Sequence, residues 1–72
     1  MTREEFATEM KEVLQTDAEL SADTVLAELD EWDSLAIMAT MAFLDKNFGV
    51  KLKLGDFSEL NTIGDVAAKA GL

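Results

Sequence analysis

Apolar residues recur at helical spacing along the first segment of the chain. Phe6, Met10, Val13 and Leu14 follow the i, i+4, i+7, i+8 rhythm of one helix face. Glu4, Glu5, Glu9 and Glu12 fall largely elsewhere and are assigned to solvent. Thr2 with Glu5 fits a capping box, in which a hydroxyl and a carboxylate satisfy free amide groups. A first helix is therefore predicted from about Thr2 to Gln15. Residues 16–32 form a long connection without Gly or Pro. A connection of this length usually carries a function or a local turn of its own. Leu20, Val25, Leu26 and Leu29 are expected to pin it to the core, with a helical turn near Ser21 to Leu26.

A second helix is predicted over Ser34–Phe48, with Asp33 as its N-cap and Gly49 as its stop. Val50 to Leu54 alternates apolar and basic residues but has no partner strand, so it reads as an extended loop with Val50, Leu52 and Leu54 inward. Asp56 to Leu60 is a short helix or turn. Thr62 with Asp65 opens the last helix through another capping box, and Gly71 ends it. The fold class is all-α: a small four-helix bundle of three main helices and one short one, with a long loop between the first two. Residues 1–72 are expected to form one domain.

The second helix has two apolar faces. At about 100° per residue, Ile37, Met41, Leu44 and Phe48 cluster on one side, a core face by the amphipathic rule. Opposite them stand Leu35, Met38, Ala39 and Ala42, followed by Lys46. Three readings fit: a central helix buried nearly all round, a solvent-facing docking stripe built on Leu35, Met38 and Ala42, or a seam for self-association. Exposed apolar patches tend to mark partner sites, and Met suits adaptable surfaces.

Charge adds a direction to this picture. The net charge is −9, and all of it precedes Ser34: residues 1–33 hold eleven acidic and two basic side chains, whereas residues 34–72 hold four of each. Such a field repels nucleic acid and anionic membranes and attracts basic protein surfaces. The uncharged run from Leu35 to Leu44 is too short to span a bilayer. The N-terminus lacks the layout of a secretion signal, so a cytoplasmic monomer is expected.

Independent catalysis finds little support. The chain has no His and no Cys, so the common general base and thiol nucleophile are missing. Ser34 is not flanked by the glycines of a hydrolase elbow, and there is no phosphate-binding Gly-rich loop. The acidic connection lacks the central Gly and ligand spacing of an EF-hand, and no metal site is predicted.

The junction Glu31-Trp32-Asp33-Ser34-Leu35 carries the most specific signal. Asp33-Ser34-Leu35 at the start of the second helix resembles the attachment motif of the acyl carrier protein family. The context strengthens it: an acidic loop before, an apolar helix after, Phe48-Gly49-Val50 closing that helix and Thr62-Ile63 opening the last. The resemblance covers essentially the whole chain. It implies that a transferase moves 4′-phosphopantetheine from coenzyme A onto Ser34. It implies a non-catalytic carrier that holds acyl or aminoacyl groups as thioesters and presents them to loading and using enzymes. Asp33 and Leu35 match positions that meet partner enzymes, and Glu31, Asp33, Met38, Ala39 and Ala42 are the further recognition candidates. Residue type suits the role, because a helix N-terminus offers free amide hydrogens and a positive dipole end to a phosphate.

The match departs from fatty-acid carriers in one respect. These usually place acidic residues along the exposed face of the second helix, where Ala36, Ala39 and Lys46 stand here. That favours a specialised polyketide, nonribosomal-peptide or other secondary pathway over a housekeeping fatty-acid role. An unmodified helical interaction module or homodimer is the alternative. The small residues Ala67, Ala68 and Ala70 of the last helix allow either close packing or room for a short acyl chain.

Overall fold

A computed structural model describes residues 1–72. Three α-helices, α1 (Arg3–Leu14), α2 (Ser34–Phe48) and α3 (Ile63–Lys69), join a six-residue 3₁₀ segment (Leu54–Glu59) in a four-helix arrangement. A further 3₁₀ turn, Leu26–Glu28, interrupts the long connection, slightly later than expected. Local chemistry sets the helix boundaries. Thr2 and Glu5 cap α1 reciprocally, and Thr62 and Asp65 do the same for α3. Gly49 closes α2 at φ 67°, where a side chain would be strained.

The core gathers residues from every element. Phe6, Met10, Leu26, Leu44, Ile63 and Val66 are fully buried. Phe6 of α1 packs against Phe43 and Phe48 of α2, with ring centroids 5.8 and 5.9 Å apart in tilted geometry. Such aromatic pairs add about 0.5–1.5 kcal/mol each beyond area burial. Ala67 is fully buried, Ala70 half-buried and Ala68 exposed.

The long connection is held by backbone as much as by side chains. Val25 and Thr62 form an isolated antiparallel bridge. Around it, Leu26 N–H donates to the Asn61 carbonyl at 2.8 Å, Ile63 N–H to Thr24 at 3.1 Å and Gly64 N–H to Ala22 at 2.8 Å. Leu26 is buried and Leu20 and Leu29 are half-buried, as anticipated, but Val25 is exposed and contributes through its main chain.

Two further expectations are corrected. Leu54 is 58% exposed, because the 3₁₀ segment starting there breaks the alternation and Phe57 takes the buried place. The buried arc of α2 centres on Ala36, Thr40 and Leu44, with Ile37, Met41, Phe43 and Phe48 half-buried at its edges. The arc is thus rotated towards Phe43, and Phe6 of α1 packs against both Phe43 and Phe48. Thr40 tolerates full burial because its hydroxyl donates to the Ala36 carbonyl at 2.8 Å.

Candidate functional site

The start of α2 leaves one hydroxyl unengaged. Asp33 takes an extended backbone (φ −134°), and its carboxylate accepts from Ala36 N–H at 2.9 Å. The Asp33 carbonyl accepts the first helical bond, from Ile37 N–H at 2.9 Å. With Asp33 acting as the N-cap, Ser34 is the first helical residue and has no capping duty. It is exposed, and its hydroxyl makes no hydrogen bond to the chain. The N–H groups of Ser34 and Leu35 likewise have no acceptor in the protein, as the first turn of a helix requires. An accessible nucleophilic oxygen beside two free N–H donors, at the positive end of a fifteen-residue helix, fits a phosphodiester.

Packing fixes this junction from the connection side. Trp32 is half-buried, and its ring lies 6.1 Å from that of Phe57. Trp32 N–H also donates to the Leu29 carbonyl at 3.1 Å. The exposed arc of α2 begins beside Ser34: Leu35 is 75% exposed and Met38 59%, and Ala39 and Ala42 are exposed with them. The helix is therefore not buried all round. Ala36 does not belong to this surface. It is buried, being a full turn before Thr40 on the inward arc, so it cannot replace an exposed acidic position.

Residues 4–69 match a protein family described as "Phosphopantetheine attachment site". The chain belongs to this family. No curated protein matches it. Among solved structures, the solution NMR structure of the holo acyl carrier protein from Geobacter metallireducens superposes with a TM-score of 0.76. The two are 26% identical, and the match covers 99% of this chain and 84% of that one. The chain is accordingly a carrier with covalently attached 4′-phosphopantetheine, and not a catalyst.

The surroundings of the carrier's α2 entrance are acidic and partly concave. A cleft of about 460 Å³ opens between the end of α1 and the start of α2. Val13, Leu14 and Gln15 form one wall, and Leu35, Ala36 and Ala39 the other. Glu31 and Asp33 stand at its rim. Gln15 adopts the left-handed backbone (φ 55°) that ends α1 and turns the chain beside this cleft. None of Ala67, Ala68 and Ala70 lines it. No group of three or more carboxylates is arranged to hold a metal ion. No helix is long and apolar enough to cross a membrane.

Two carboxylates titrate below the usual range, and both serve caps rather than the site. Glu5 is lowered chiefly by the Thr2 backbone N–H and then by the Thr2 hydroxyl. Asp65 is lowered by the backbone N–H groups of Asn61 and Thr62. Sequence reasoning missed the cleft, since the pairing of Val13 and Leu14 with Ala36 and Ala39 depends on how α1 lies on α2.

Proposed function

We propose that Ser34 is the attachment residue and that the carrier presents acyl or aminoacyl groups to enzymes of a specialised pathway. One observation carries the assignment of the residue. The chain has three serines. Ser21 bonds with Thr24 and receives Asp23 N–H, and Ser58 donates to the Gly55 carbonyl. Only Ser34 has a free, exposed hydroxyl at the start of a long helix. When bound, the prosthetic arm supplies the thiol this Cys-free chain lacks, for carrying groups as thioesters.

The chain's own residues divide the remaining work. The N–H groups of Ser34 and Leu35 face the phosphate position. Asp33 holds the helix start and offers negative charge to a basic transferase surface. Leu35, Met38, Ala39 and Ala42 form an apolar face for partner enzymes, with Glu31 and its acidic neighbours steering their approach. Leu35, Met38, Ala39 and Ala42 carry no charge, and Asp45, the one carboxylate further along the exposed side of α2, is paired with Lys51; this supports specialised partners over a housekeeping fatty-acid role. The need for coenzyme A and a transferase supports a cytoplasmic carrier, and the exposed docking face supports a monomer.

Intact mass spectrometry tests the assignment. Purified protein is incubated with coenzyme A and a broad-specificity transferase. The expected result is a gain of one phosphopantetheinyl group in the wild type, in Ser21→Ala and in Ser58→Ala, and no gain in Ser34→Ala. A gain that persists in Ser34→Ala, with its helical circular dichroism intact, overturns the reading.

A further inference from the structure

The cleft between α1 and α2 has an apolar floor, an acidic rim and a position beside the attachment residue. We infer that it is a resting site for cargo bearing a protonated amine on a short apolar body, and that it disfavours cargo ending in a carboxylate. The inference rests on Ser34 being the attachment point. Asp33 and Leu35, the residues on either side of Ser34, both line the cleft. The arm therefore leaves the chain at the rim, and cargo on a folded-back arm meets the cleft at the high effective concentration that tethering provides.

Shape and charge identify the occupant together. The volume, about 460 Å³, falls within the range of small-molecule sites, about 300–1,000 Å³. Leu14 and Ala36 are buried and Val13 half-buried, so the floor is apolar. The rim holds no cation. Arg3 donates its guanidinium N–H groups to the Leu72 carbonyl, and Lys11 pairs with Glu19 at 3.3 Å. Asp33 is committed to the Ala36 N–H. Glu31, half-buried and without an ion pair or hydrogen bond, is the free carboxylate at the mouth. An ammonium placed there gains a charge-assisted partner, and a carboxylate meets like charge. The phosphate on Ser34 adds further negative charge beside it.

The test uses one carbon skeleton with three ends. Isotopically labelled protein is loaded from propionyl-, β-alanyl- and succinyl-coenzyme A, and intact mass confirms one group on Ser34. Amide shifts are compared with those of the holo form carrying a free thiol. The β-alanyl form is expected to move the amides of Leu14, Ala36 and Ala39 most and the succinyl form least. In Glu31→Gln, the β-alanyl shifts should fall to the propionyl level. Raising salt from 0.1 M to 1 M should do the same, as the screening length shrinks from about 10 to about 3 Å. Equal shifts from β-alanyl and succinyl cargo, or shifts confined to the neighbours of Ser34, overturn the inference. If mass shows no group on Ser34, the attachment reading itself fails and takes this inference with it.

Discussion

Replacing Gly64 with alanine sets two opposing effects against each other. Gly64 is the second residue of α3, and in a helix interior alanine is favoured over glycine by about 1 kcal/mol. That gain is expected wherever the added methyl has room. Here it does not. A Cβ at Gly64 would stand 2.9 Å from the Ala22 carbonyl oxygen and 3.5 Å from the Ala22 Cβ. The same oxygen accepts Gly64 N–H at 2.8 Å. Relieving the clash moves the acceptor away from its donor, inside a pairing that also includes Leu26 with Asn61 and Ile63 with Thr24. Overpacking of this kind costs about 1–3 kcal/mol, and a buried amide left without its partner costs about 1–3 kcal/mol. Set against the gain, the expected net loss is about 1–5 kcal/mol. For a domain of this size each kcal/mol lowers Tm by about 4–8 °C, so the fall is at least about 4 °C.

Gly55→Ala is the matched control. Nothing lies within 4 Å of a Cβ at that position, and its φ is not positive. Restricting the unfolded chain should then stabilise by about 0.4–1 kcal/mol. Urea denaturation followed by far-ultraviolet circular dichroism measures both variants. Gly64→Ala should lower the midpoint at unchanged slope, and Gly55→Ala should hold or raise it. Amide exchange at Leu26, Ile63 and Gly64 should accelerate together in Gly64→Ala. Equal midpoints for the two variants would refute the claim that backbone pairing with α3 anchors the connection leading to Ser34.

Other perturbations separate roles that share a residue. Asp33→Ala should destabilise by about 0.5–2 kcal/mol through loss of the N-cap, whereas Asp33→Asn keeps the cap. If Asn also slows modification by the transferase at unchanged urea midpoint, charge and capping are distinct functions of this side chain. Thr40→Val should change stability by no more than about 1 kcal/mol, because the Ala36 carbonyl keeps its helical N–H partner when the hydroxyl is removed; calorimetry checks this. Glu5 and Asp65 have lowered folded pKa values, so their stabilisation is present above the ordinary carboxylate range and is lost as pH falls through those lowered values. A urea-midpoint profile from neutral to acid pH should flatten at its acid end in the Glu5→Gln, Asp65→Asn double variant.

Helix limits were legible because they are written in local chemistry. Thr2 with Glu5, Asp33, Gly49 and Thr62 with Asp65 act over three or four residues, and each sits where the sequence places it. The orientation of α2 was less legible. Its apolar residues occupy most of the wheel, so periodicity alone does not distinguish a core centred on Ile37 and Met41 from one centred on Ala36 and Thr40. What decides is contact with α1, through Phe6 against Phe43 and Phe48, and a polar residue that satisfies itself within its own helix. The bridge between Val25 and Thr62 was not legible at all, since main-chain pairing between distant segments leaves no residue-type signature. The cleft shares this cause, its two walls coming from separate helices.

The division of α2 into two arcs explains how a small carrier combines stability with a changeable surface. Ala36, Thr40 and Leu44 seat the helix and are shielded from partners. Ser34, Leu35, Met38, Ala39 and Ala42 meet solvent. Substitutions in the exposed set remove little buried area, so partner preference is free to change at small cost to folding, as surface positions generally allow. The separation breaks down at Asp33 and Ala36. Asp33 caps the helix and, in the proposed function, also faces the transferase, and Ala36 belongs to the core and also floors the cleft. At these two positions a change in recognition necessarily changes how α2 starts or how α1 lies on it. Ser34, the proposed attachment residue, sits immediately beside Asp33, so its presentation is coupled to the fold through that one carboxylate.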